Sequence, residues 1–198
     1  MTFFTSFFLS AISAFALSRL IDFFYSLPHA PLTFTEKKTN LMIRFTFLFI
    51  LLFFNFFYFQ SLYQTIFLVF LLVITVTDFE QYVVFDIVLL PFALSGIFFS
   101  LLLDLPLLDR LISSIFAASL FFALLLLTKN GIGGGDVKLV ATLGLWLDAD
   151  KLISTILTAS ILGGVCALIL ILCGIKRRTD FFAYGPYFCI AAAFHFFD

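Results

Sequence analysis

Gly131-Ile132-Gly133-Gly134-Gly135-Asp136-Val137-Lys138 interrupts an otherwise apolar chain, and its reading decides what kind of helical protein this is. Four glycines and a carboxylate fall within six residues, between long runs of Phe, Leu, Ile and Val. Glycine costs a helix interior about 1 kcal/mol relative to alanine. An ionisable group close to a bilayer is a functional-site candidate by default. A second carboxylate, Asp78, closes another apolar run in the same way.

The surroundings set the class. Of 198 residues, 63% are hydrophobic and 12% charged, and the mean hydropathy is +1.20; an ordinary globular domain carries about 25% charged residues. Thirty-two phenylalanines exceed what a soluble core of this size can hide, so lipid must solvate much of the surface. The chain reads as an all-α polytopic membrane protein with the bilayer as its first partner. The net charge of -1 and the scattering of basic residues through short loops point to no nucleic-acid partner. Cys166, Cys173 and Cys189 sit in apolar stretches and read as small core residues, without disulfide or metal-ligand spacing. Ala14-Phe15-Ala16 resembles a signal cleavage site, but no basic region precedes the apolar run and Arg19 follows it, so a retained first span is expected.

A span needs about 20 apolar residues. Cutting at charges and turn formers predicts eight spans, near 3–25, 41–59, 62–77, 87–103, 110–128, 136–147, 152–174 and 181–197. The sixth is too short to cross alone: either it begins inside the glycine loop, or it is a half-helix buried by its neighbours, as irregular backbone at membrane depth requires. No internal repeat or linker is visible. Residues 1–198 are therefore treated as one domain, with 1–60 as a reduced N-terminal part and 61–198 as the core.

Lys and Arg are retained on the cytoplasmic side of a membrane. With the N-terminus outside, the cytoplasmic segments hold Arg19, Lys37, Lys38, Arg44, Lys129, Lys138, Lys176, Arg177 and Arg178, against Arg110 and Lys151 on the other face. The same parity puts Asp78 and Asp136 on one side, each at the cytoplasmic end of a span.

Two such carboxylates suit peptide hydrolysis without a covalent intermediate. That reaction needs a base to activate water and an acid to protonate the departing nitrogen. Carboxylates held close cannot both ionise, so they share a proton and titrate as a pair. Glycines allow a sharp turn and close approach of a substrate strand, and Asp136 is placed to cap the sixth helix. Read singly, Asp136 is a helix cap and Asp78 a membrane boundary; the joint pattern favours a site. His29 and His195 form no HExxH pair, which excludes that zinc-protease signature, and His195 reads as a packed or interfacial side chain.

At these residues the chain resembles the bacterial type IV prepilin peptidases, within the wider GxGD aspartyl proteases. Asp78-Phe79-Glu80-Gln81-Tyr82-Val83-Val84-Phe85-Asp86 is similar to the family's acidic segment, with Phe85 where the family has Pro. Gly133-Gly134-Gly135-Asp136-Val137-Lys138-Leu139 matches the GxGD-x-K-L loop, followed by Gly144 and Trp146 in the expected Leu-Gly-x-Trp stretch. Tyr184-Gly185-Pro186-Tyr187-Phe188 resembles the element that opens the last helix. The resemblance covers about residues 70–198. It implies that Asp78 and Asp136 are catalytic, with Gly133, Gly135, Glu80, Asp86, Lys138, Gly185 and Pro186 as motif residues and candidate substrate contacts. It implies cleavage of prepilin or pseudopilin leaders at the cytoplasmic face of the bacterial inner membrane. For Glu80 and Asp86 a solvated loop anchor and a substrate contact are equal readings; Lys138 is either a loop anchor or a charge partner of the aspartates.

The family's bifunctional members carry CxxC zinc ligands in a large loop after the first span and methylate the new N-terminus. Here the corresponding stretch, 26–40, has Pro28, Pro31, Lys37 and Lys38 but no cysteine. Tetrahedral zinc needs about four ligands, so no structural metal, no cofactor and no methyltransferase activity are expected. Rival readings are a GxGD protease acting on other membrane segments, an assembly factor whose carboxylates have become structural, and a transporter or channel using paired aspartates for protons or a cation.

Overall fold

A computed structural model of the protein describes residues 3–27, 39–58, 61–128, 132–177 and 182–198. The expectations attached to Pro28, His29, Pro31, Lys37, Lys38, Lys129, Gly131 and Arg178 lie outside the described residues. Among the described residues the secondary structure is wholly helical: α1 (Phe3–Ser26), α2 (Leu41–Tyr58), α3 (Leu62–Gln81), α4 (Asp86–Leu102), α5 (Leu107–Leu127), α6 (Gly134–Gly144), α7 (Ala149–Leu172) and α8 (Gly185–Phe197). Each expected span corresponds to one of these helices. Helices α1, α2, α3, α5 and α7 are long and apolar enough to cross a membrane, and α4 and α8 are shorter apolar helices. At 1.5 Å per residue, α6 rises only about 16 Å, roughly half a hydrocarbon core. The protein is an all-α, multi-pass membrane protein.

Several helix ends have local chemical causes. Tyr82 adopts a left-handed conformation (φ 55°) that ends α3, its N–H donating to the Asp78 carbonyl at 2.8 Å. Asp148 caps α7 by accepting from the Lys151 N–H at 2.9 Å, so α7 starts three residues before the expected 152. Asp104 (φ 49°) lies in the turn between α4 and α5.

The chain forms two compact units, Met1–Val83 and Val84–Asp198. In the first, α1 lies along α2 and α3 touches both. Ser6, Ser10, Ala14 and Ser18 are buried on α1 at every fourth position, a strip of small residues that lets a neighbouring backbone come close. On α2, Phe45, Phe49, Phe53 and Phe57 stack along the helix at 5.9–6.0 Å between centroids, and Phe3 and Phe7 of α1 meet this column edge-on.

In the second unit α5 lies along α6 and α7 along α8, and the short α6 touches α4, α5, α7 and α8. That burial among neighbours is what a half-helix needs. Glycines set the approach distances. A Cβ on Gly144 would stand 2.6 Å from the Ser114 Cα, and one on Gly96 would stand 2.8 Å from the Trp146 ring nitrogen. Trp146 is fully buried, donates its Nε1–H to the Phe92 carbonyl at 2.9 Å and packs against Phe92 and Phe99.

Two expectations change. Only Cys189 is buried; Cys166 is half-buried and Cys173 exposed, because the apolar stretches holding them face outward as much as inward. Arg110 is no simple loop charge: it sits in the first turn of α5, buried, donating to Ser100 Oγ at 3.1 Å. His195 packs as expected, with Nε2 3.0 Å from Thr158 Oγ1.

Candidate active site

Asp78 and Glu80 belong to the first unit and occupy the last turn of α3. The helix runs four residues beyond the expected boundary at 77, so neither acid lies in a loop. Asp78 is buried at 5% exposure. At about 100° per residue, Glu80 projects some 200° around the helix from Asp78, toward the opposite side.

Glu80 is 1% exposed, and its surroundings explain how a carboxylate can be buried there. Arg44 donates to it twice, from Nε to Oε1 at 3.0 Å and from Nη2 to Oε2 at 2.8 Å. Tyr25 donates its hydroxyl to Oε2 at 2.9 Å, and Thr39 donates both its backbone N–H, at 3.2 Å, and its hydroxyl to Oε1. The third guanidinium nitrogen of Arg44 serves Asp22 at 2.9 Å and the Ser18 carbonyl at 3.3 Å. Glu80 is thus neither a solvated loop anchor nor exposed to a passing peptide: its five donors among the described residues all come from its own unit. Such saturation is what burying a charge demands.

Sequence reading missed Arg44, Tyr25, Thr39 and Asp22. By sequence Arg44 belongs with the cytoplasmic charges; in the structure it lies in the first turn of α2 and is 3% exposed. The available signal was an arginine at the head of an apolar run, with a glutamate at the tail of another. Their 36-residue separation hides the pairing from any local pattern.

Asp136 belongs to the second unit. It is not the cap of α6, as expected. Gly133 caps the helix in an extended conformation (φ -72°, ψ 141°), and Gly134 is the first helical residue, so Asp136 is third. Its N–H donates to the Gly133 carbonyl at 3.1 Å. A Cβ on Gly133 would stand 3.2 Å from Asp136 Oδ2. None of Gly133, Gly134 and Gly135 has a positive φ. What the motif glycines supply is room: Gly133 beneath the carboxylate, and Gly135 against Val84, 3.4 Å from its would-be Cβ. The carboxylate is half-buried in the first turn of α6.

Asp86 opens α4 and Lys138 lies in the first half of α6. Lys138 Nζ donates to both Asp86 oxygens at 2.8 Å, with 57% and 71% of the two side chains exposed. Lys138 is therefore an anchor between two helix starts. Gly185 and Pro186 are buried in the first turn of α8, and the preceding Tyr184 presses its ring on α7, 2.7 Å from where a Cβ on Gly163 would be. Among the described residues no group of three or more His, Cys, Asp and Glu side chains converges on a metal-sized site.

Residues 65–168 match the model of the type IV leader peptidase family. The chain is 35% identical over 127 residues to the prepilin leader peptidase/N-methyltransferase of Aeromonas salmonicida, covering 61% of this chain and 44% of that protein. It is 31% identical over 129 residues to the protein of the same name from Pseudomonas aeruginosa, with the same coverage. The Neisseria gonorrhoeae protein is 31% identical over 125 residues, covering 59% and 42%. The chain thus spans less than half the length of these relatives. No solved structure matches significantly. With more than half of its residues inside the family match, both aspartates among them, the chain belongs to the type IV leader peptidase family.

Proposed function

We propose that this chain is an aspartic endopeptidase that cleaves the leader of type IV prepilins or pseudopilins at the cytoplasmic face of the bacterial inner membrane, with Asp78 and Asp136 as the catalytic carboxylates. One observation carries the reading: the family match spans residues 65–168 and contains both acids. On this reading one carboxylate takes a proton from the attacking water while the other protonates the amide nitrogen as the peptide bond breaks. Sharing one proton between two carboxylates supplies both functions at neutral pH.

The remaining motif residues take supporting parts. Gly133 and Gly135 leave room around Asp136, and Asp86 with Lys138 fixes the starts of α4 and α6. Gly185 and Pro186 set the start of α8. Glu80 is assigned no contact with substrate, because its five donors already occupy it. The whole of residues 1–198 is treated as one peptidase domain, needing no metal and transferring no methyl group.

The test is to co-express a tagged prepilin and follow its size with wild type, Asp78→Asn and Asp136→Asn. Processing by wild type and loss in each single variant is expected, because paired groups work as a unit. Cleavage that persists in both variants would sink the proposal. For methylation, the mass of the mature pilin N-terminus decides: an added methyl dependent on this protein would overturn that part. A reporter fused after Lys129 that proved periplasmic would reverse the orientation.

A further inference from the structure

We infer that Arg44 is a positioning residue for Asp78, acting through Glu80; the inference rests on the peptidase reading above. One guanidinium reaches three helices. It grips Glu80 of α3 with two nitrogens and Asp22 and the Ser18 carbonyl of α1 with the third, while its own backbone starts α2. Tyr25 and Thr39 complete the shell around Glu80. A hydrophobic set of similar volume would hold the helices as well or better, since burying an ion pair is not in itself stabilising. What the pair adds is direction. Two parallel N–H···O bonds between a planar fork and a carboxylate fix an angle as well as a distance.

That angle bears on Asp78. Glu80 and Asp78 share the last turn of α3, which Tyr82 closes by bonding back to the Asp78 carbonyl. Clamping Glu80 therefore sets the rotation of α3 about its axis at the point where Asp78 emerges. A carboxylate about 6 Å from the axis sweeps about 1 Å for every 10° of rotation. A misplacement of about 1 Å can cost a reaction about 10²-fold. Aliphatic packing tolerates such a rotation; the Arg44 fork does not.

The experiment uses the full-length protein in detergent with purified prepilin, measuring kcat, KM and melting temperature for Arg44→Met, Arg44→Lys and the double variant Arg44→Met/Glu80→Met. The double variant removes both charges, so it should recover much of the melting temperature lost by Arg44→Met alone. Its kcat should nonetheless remain about 10- to 100-fold below wild type, with KM within about threefold. A kcat that recovers together with stability, to within about threefold of wild type, would overturn the inference, because a purely structural pair predicts that result. If the double variant does not fold, Arg44→Lys decides. It keeps the charge and loses the fork, so kcat should fall about tenfold at a nearly unchanged melting temperature; an unchanged kcat overturns the inference. Asp78→Asn and Asp136→Asn separate the two levels. Should those variants stay active, the peptidase reading fails and this inference falls with it. Should they be inactive while the Arg44 variants turn over normally, only the positioning role fails.

Discussion

The two units of the molecule hold their helices together by different means. In the first, a buried guanidinium ties α1, α2 and α3 through Glu80 and Asp22. In the second, the closest approaches between helices are at glycines: Gly96 under Trp146, Gly144 on the Ser114 backbone and Gly163 under Tyr184. Lipid is as apolar as leucine, so burying hydrocarbon gives transmembrane helices little reason to choose one partner over another. Selection then falls to polar contacts or to close approach of small residues. Both devices occur in both units, but the buried charge cluster belongs to the first and the tightest glycine contacts to the second. The acidic segment shows the contrast over six residues: Glu80 is sealed beneath five donors from the described residues, whereas Asp86 is exposed and pairs with the exposed Lys138.

The largest effect expected from breaking this contrast is in the first unit. Arg44→Met leaves Glu80 charged and buried, which should destabilise the protein by about 3–5 kcal/mol, measured as the shift in a denaturant or thermal unfolding transition in detergent. A loss below 1 kcal/mol would show that water reaches Glu80 in solution. In the second unit, Gly144→Ala should cost about 1–3 kcal/mol, the usual range for overpacking. The atoms it meets are backbone, at 2.6 and 2.7 Å, and cannot rotate away. Gly163→Ala should cost less, about 1 kcal/mol, since the atoms it meets belong to the Tyr184 ring, whose χ angles can adjust. The same unfolding assay ranks the two, and the reverse order would break the steric reading. Lys138→Met and Asp86→Asn should each change stability by no more than about 1 kcal/mol, because exposed pairs are worth little. A larger loss would show that the Lys138–Asp86 pair is shielded in the bilayer. Gly134→Ala should be neutral or stabilising by up to about 1 kcal/mol, since nothing lies within 4 Å of its would-be Cβ and its backbone is helical. If cleavage fell while stability held, Gly134 would face the substrate.

Much of the architecture was legible beforehand because apolar runs between charges are a local signal. The expected span at 41–59 became α2 at Leu41–Tyr58, and that at 87–103 became α4 at Asp86–Leu102. The short sixth helix was anticipated from its length alone. The boundaries that moved did so where a cap took over. Asp148 started α7 early, and the left-handed Tyr82 let α3 run on to Gln81. For the candidate site, the motifs named the residues but misjudged several of their settings. Asp136 is expected to cap α6, but Gly133 does so, and the aspartate is the third helical residue. Glu80 was expected near solvent or substrate, and it is among the most enclosed polar groups in the chain.

By itself the sequence determined the membrane class, the order of helices and the two acidic motifs, since composition, run length and short spacing are properties of neighbouring residues. Tertiary structure alone decided that Arg44 serves Glu80 rather than a loop, that Lys138 serves Asp86, and that glycines 96, 144 and 163 set distances between helices. Those outcomes depend on which faces meet across 36 or 52 residues of chain. No local pattern encodes that choice; it is made when polar groups find partners and small residues let backbones close.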